Sequence, residues 1–143
     1  MSASDPPYSR LVIVVVDVAN VLGSRPDGWW RDRAAAAAGL LDRLARLPGT
    51  EVVGPGGDLV PVDRLIAVVE GAARTASAPG GFGPVELVRA DRDGDSAIVG
   101  LAADLAAAGN ESLVVTADRG LRQRLPPSVS TAGPNWLNGL IGR

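Results

Sequence analysis

Cysteine, histidine and lysine are all absent from this sequence, and each absence removes a chemistry. Without cysteine and histidine there are no thiol nucleophiles, no Ser-His-Asp triad, no imidazole acid/base catalysis and no Cys/His zinc site. Without lysine there is no Schiff-base chemistry, and no phosphate loop of the type that ends in Lys. All 14 positive side chains are arginine. The net charge of −2 gives no whole-molecule attraction for nucleic acid, so any such binding must rest on a local arginine cluster. Long apolar runs are missing as well. The longest, Leu11 to Val16, is far short of the roughly 18 to 20 residues of a membrane span. The polar opening segment Met1 to Pro7 has no apolar signal stretch, so residues 1–10 are expected to form a loose tail and the protein to be cytoplasmic.

What is present is carboxylate, hydroxyl and guanidinium chemistry on a chain of 143 residues that is 46% hydrophobic, enough for one filled core over residues 11–143. Leu11 to Val16 is a β-branched run ending at Asp17, the pattern of a central strand buried on both faces. Trp29 to Leu47, with Leu40, Leu41, Leu44 and Leu47 at helical spacing, predicts a first crossover helix closed by Pro48 and Gly49. Glu51 to Val62 surrounds a Gly-Pro-Gly-Gly-Asp turn and reads as a hairpin or an irregular loop. Strands follow at Leu65 to Val69, Val85 to Val88 and Leu113 to Val115. A helix is expected from near Asp95 to the Gly109 cap, a short one around Leu121 and Leu125, a last strand from Val129 and a terminal helix over Trp136 to Ile141. Alternating strands and helices imply an α/β fold: a three-layer, Rossmann-like α/β/α sandwich with a mostly parallel central sheet.

In such a sheet ligands bind beyond the carboxyl ends of the strands, and here nearly every strand ends on an acid. Asp17 closes the first and Glu70 the second; Asp91, Asp93 and Asp95 follow the third, and Asp118 the fourth. Carboxylates within about 4 Å repel by roughly 1 to 4 kcal/mol per pair, so the cluster needs shared protons or a hard cation. Mg²⁺ and Mn²⁺ favour oxygen ligands, polarise phosphoryl oxygens and acidify water, which points to phosphodiester hydrolysis without imidazole. Capping competes for the same residues, because Asp95 and Asp118 precede helices and Asp17 and Asn20 can satisfy turn amides. The string Asp91, Asp93, Asp95 is not an EF-hand: Gly94 falls at position four instead of six, and Ala102 stands where the bidentate Glu belongs. Ala19 excludes a haloacid-dehalogenase-type second Asp, and the lack of lysine excludes a receiver domain.

The segments VVVDVANV with Asp17 and Asn20, GDSAIV with Asp95 and Ser96, and VVTADRGLRQRL with Thr116, Asp118 and Arg119 together resemble the PIN-like nucleases, in particular the NYN branch. The resemblance spans about Leu11 to Leu125. It implies a metal-dependent ribonuclease in which Asp17, Asp95 and Asp118 hold Mg²⁺ or Mn²⁺ while Asn20 and Thr116 orient ligands or substrate. Glu70 and Asp93 are further metal-ligand candidates. Many relatives carry a second Asp after the first at the GDSAIV position, where this chain has Ser96, which leaves fewer acids for a second metal.

Arg25, Arg31 and Arg33 follow the first acidic motif, and Arg119, Arg122 and Arg124 follow Asp118, so both groups are placed to border the pocket and contact an RNA backbone. Ser96 is a further substrate-binding candidate. Trp29 and Trp30 are suited to base stacking, to packing, or to an interface with a protein partner or a second copy. A non-catalytic RNA-binding module and a metal-dependent nucleotide phosphohydrolase remain the alternatives to a ribonuclease.

Overall fold

The structure, a computed structural model, describes residues 11–78 and 80–143; the expected tail at residues 1–10 lies outside the described residues. In chain order the elements are β1 (Val12–Asp17), α1 (Val18–Gly23), α2 (Arg33–Leu44), β2 (Glu51–Val53), β3 (Leu59–Val69), β4 (Val85–Arg89), α3 (Gly94–Ala107), β5 (Glu111–Val115), α4 (Arg119–Arg124), β6 (Ser130–Ala132) and α5 (Pro134–Ile141). Every residue of β1 is buried, as an unbroken β-branched run between two helical layers requires. Val12, Val14 and Val16 enter one core with Val21 and Leu22 of α1, Leu40, Leu41 and Leu44 of α2, and Leu137 and Ile141 of α5. Ile13 and Val15 enter the other, with Ile98, Ala102 and Leu105 of α3 and Leu121 of α4. Period-two alternation along one strand thus divides the molecule into the three layers of an α/β/α sandwich.

The parallel strands lie in the order β4, β3, β1, β5, β6, and β2 adds antiparallel to the start of β3. From β1 the chain steps outward through β3 to β4. Helix α3 then carries it back across the sheet to β5 and β6. The order therefore reverses between β1 and β5, and a sheet that reverses in this way opens a crevice at the carboxyl ends of those two strands. Asp17 and Thr116 stand at that point.

Several boundaries differ from the sequence reading for local reasons. The expected helix over Trp29 to Leu47 is broken at Asp32, which takes extended backbone and caps α2 by accepting from the Ala35 N–H at 3.0 Å; Trp29–Arg31 form a separate 3-10 turn. Glu51 to Val62 is a hairpin, and β3 begins at Leu59 instead of Leu65. Its turn needs glycine at 54, where a Cβ would sit 2.6 Å from Val60 Cγ2 and 3.0 Å from the Asp58 carbonyl oxygen. Helix α1 was not expected; Asp17 caps it. Helix α3 starts at Gly94 with Asp93 as its cap, which puts Asp95 inside the first turn. Helix α5 starts at Pro134 instead of Trp136, because proline suits the first helical turn, where its missing N–H costs nothing. No helix among the described residues is long and apolar enough to cross a membrane.

Candidate functional site

The reversal point is held together by hydrogen bonds that run between its two strand ends. Asp17, only 6% exposed, accepts from the Thr116 hydroxyl at 3.0 Å on Oδ2 and from the Asn20 N–H at 3.4 Å on Oδ1. Thr116, wholly buried, accepts in turn from the Asp118 N–H at 3.2 Å, so one hydroxyl links the two carboxylate-bearing segments. Asn20 reaches across with its side-chain oxygen to the Ala117 N–H at 2.8 Å. Asp118 Oδ1 caps α4 through the Leu121 N–H at 3.0 Å, while Oδ2 has no hydrogen-bond partner among the described residues. Asp17, Asn20, Thr116 and Asp118, drawn from two motifs almost a hundred residues apart, form one bonded unit.

Two more acids approach this unit, one from the loop after β3 and one from the first turn of α3. Glu70, just beyond β3, accepts from the Gly94 N–H at the start of α3. A Cβ on Gly94 would meet the Glu70 carboxylate at 3.3 Å, so glycine is what admits this contact. Asp95 is half-buried in the first turn of α3 and makes no hydrogen bond or ion pair among the described residues. The electrostatics follow from burial that hydrogen bonds only partly offset. The Asp17 carboxyl is pushed up from 3.8 to about 6, mainly by burial; the hydrogen bonds from Thr116 and Asn20 oppose this, and the charges of Asp95 and Glu70 add to it. Asp95 is also raised, by burial first and then by Asp118, Glu70 and Asp93, with Arg124 pulling the other way. Asp93 is lowered, chiefly because it accepts from the Ser96 N–H at 2.7 Å.

Asp91 stands apart, exposed and 3.6 Å from Arg74. Among the described residues no group of three or more acidic side chains has the spacing to bind one ion directly. The acids share one edge and one field, but they do not form a closed cage.

The arginines divide by what they touch. Arg122 donates from Nε at 2.9 Å and from Nη2 at 2.6 Å to the Thr116 carbonyl, so it braces the site from within. Arg119 and Arg124 are exposed on α4, and Ser96 is exposed on α3. Arg31 lies over the Trp30 ring at 6.0 Å and Arg33 over the Trp29 ring at 5.3 Å; Arg25 is half-buried just after α1. Trp30 is 51% exposed and meets Trp29 edge to face at 6.3 Å. Two clefts flank α1 at this edge and share Ala19. One, of about 400 Å³, runs past Asn20 and Ala117 toward Pro134. The other, of about 420 Å³, runs past Trp29 and Arg33 toward Glu70, Arg92 and Asp93. Sequence reasoning passed over Arg92 because the acids on either side of it dominate that loop. It also passed over Gly94, whose signal was a glycine directly before an expected helix.

No protein-family model and no curated protein sequence matches the chain. Among solved structures it is similar to Rae1 (YacP) from Bacillus subtilis, in a point-mutant form at 18% identity and a TM-score of 0.66, and in a second crystal structure at 17% and 0.65. The likeness covers 91% of this chain in both cases, and 74% and 73% of those chains. At this identity the comparison establishes the fold alone, an α/β sandwich around a mostly parallel sheet.

Proposed function

We propose that the chain is a ribonuclease that hydrolyses RNA phosphodiesters with the help of a divalent cation at the carboxyl ends of β1 and β5. The observation that carries this reading is the unit in which one buried hydroxyl, that of Thr116, joins the Asp17 carboxylate to the Asp118 backbone, with the charges of Glu70 and Asp95 crowding in. Uncompensated carboxylates of this kind are costly unless a cation or protons relieve them. The donor set is all oxygen, which suits Mg²⁺ or Mn²⁺ and no softer metal. Such an ion keeps several waters and can be gripped by one or two carboxylates.

Asp17 and Asp118 would hold that ion, with Asp95 and Glu70 adding negative potential and Asp93 at the rim. A bound Mg²⁺ or Mn²⁺ supplies Lewis acidity toward a phosphodiester and lowers the pKa of water. The chain's own residues prepare the rest. Thr116 fixes the Asp17 carboxylate, Asn20 holds the β5–α4 loop against α1, and Arg122 braces the Thr116 carbonyl, so Asp118 is presented without local rearrangement. Arg119 and Arg124 are exposed on the adjoining helix, where they are available to backbone phosphates, as Arg25 and Arg31 are beyond α1.

The test is incubation of the purified chain with labelled structured and unstructured RNA, with and without Mn²⁺. Cleavage that needs the ion and disappears in Asp17→Asn and Asp118→Asn supports the reading, and cleavage unchanged in both variants sinks it. The open spacing of the acids favours one competing reading, a module that binds RNA without cutting it. Retention of RNA with no product under any divalent ion would select that module.

A further inference from the structure

The 420 Å³ cleft beside the acids falls within the roughly 300 to 1,000 Å³ typical of small-molecule sites. Its lining combines apolar surface, from Leu22 and Trp29, with charges of both signs, from Arg33 and Arg92 and from Glu70 and Asp93. Arg92 has no hydrogen bond or ion pair among the described residues; Arg33 has none either and lies over the Trp29 ring, a guanidinium plane at the cleft wall. Glu70 belongs both to this cleft and to the field around Asp17, so the cleft is continuous with the acid edge.

We infer that this cleft seats an unstacked nucleobase of a single-stranded RNA, with guanine the base it fits, next to the phosphodiester held at the acids. The proposal rests on the nuclease reading only for the last clause. A flat heterocycle matches apolar lining with an aromatic wall, and stacking on Trp or on a guanidinium plane is a common way of holding RNA bases. Guanine alone among the four bases sets two adjacent acceptors, O6 and N7, opposite a guanidinium fork while presenting two adjacent N–H groups to a carboxylate. A duplex buries its bases in the stack and extruding one costs a few kcal/mol, so a base of a single strand fills the cleft at the least cost.

Calorimetric titration of the intact chain with guanosine, adenosine, cytidine and uridine tests the seat without any phosphate. Guanosine is expected to bind at least about tenfold more tightly than uridine, a factor within the range of one good bidentate contact. Arg92→Gln and Arg33→Gln are expected to weaken it at least about fivefold, by loss of the same contacts. Trp29→Ala, which removes the aromatic wall, is expected to weaken it as well. No guanosine binding at millimolar concentration, or equal binding of all four nucleosides, overturns the proposal. Mapping cuts on unstructured RNA separates it from the nuclease reading. Asp17-dependent cutting with no guanine preference and no guanosine binding removes the seat and leaves the nuclease. Guanosine binding that is lost in Arg92→Gln, without RNA cutting, keeps the seat and removes the nuclease.

Discussion

Replacing Asp17 by Asn should stabilise the metal-free protein at alkaline pH, although it removes a residue at the centre of the site. The Asp17 carboxyl titrates near 6 in the folded state against an ordinary value of 3.8. A folded-state value above the unfolded one means that the native protein binds this proton more tightly than the unfolded chain does. Stability is therefore greatest below 3.8, declines as pH rises toward 6, and stays at its lower level above that. At about 1.36 kcal/mol per pH unit the displacement corresponds to about 3 kcal/mol of native-state cost at pH 8, for a side chain only 6% exposed. Asparagine keeps a good cap for α1 and still offers an oxygen to Thr116, and it never ionises. Weakening of the second hydrogen bond, from Asn20, offsets about 1 kcal/mol of the gain. Urea unfolding in EDTA should find Asp17→Asn more stable than wild type by about 2 kcal/mol at pH 8, with the advantage gone between pH 4 and pH 5 and the variant slightly the less stable, by about 0.5 kcal/mol, at pH 4. Groups distant from Asp17 contribute equally in both proteins and cancel in the difference. A wild-type-minus-variant difference that stays constant from pH 4 to pH 8 would refute the assignment of an ionised, uncompensated Asp17.

Thr116→Val removes the hydroxyl that both donates to Asp17 and accepts from the Asp118 N–H, and should cost about 1 to 3 kcal/mol by urea unfolding, with Thr116→Ser recovering most of it. In wild type, millimolar Mn²⁺ should raise the thermal midpoint by linkage and reverse with EDTA, and the shift should be absent in Asp17→Asn; an equal shift in both proteins would place the ion elsewhere. Gly54→Ala forces a Cβ to within 2.6 Å of Val60 and should destabilise by about 1 to 3 kcal/mol, while RNA cleavage at a permissive temperature stays at the wild-type level because the hairpin lies at the other end of the sheet.

The amino-acid sequence by itself determined the architecture, because that information is periodic and local. The β-branched run before Asp17 can bury both faces only inside a parallel sheet, and the leucines at helical spacing in α2, together with Ile98, Ala102 and Leu105 in α3, mark the faces that cover it. Placing acids at strand ends followed from the same logic. Where helices begin was less legible. Asp17, Asp32 and Asp93 each act as caps, and whether an aspartate caps a helix or continues a loop depends on which amide its oxygen reaches in space.

Only the tertiary structure decided how the acids relate to one another. Thr116 bridges Asp17 and Asp118 because the crossover through α3 returns β5 to the flank of β1, a pairing between residues 99 apart that no local pattern encodes. The same packing ties Arg122 to a carbonyl inside the site, sets Asp91 outside the cluster, and leaves Arg33 and Arg92 at the rim of a cleft. Residue type limits what a side chain can do. Burial and the distance to the next charge, which exist only once the sheet has closed, select which of those things it does.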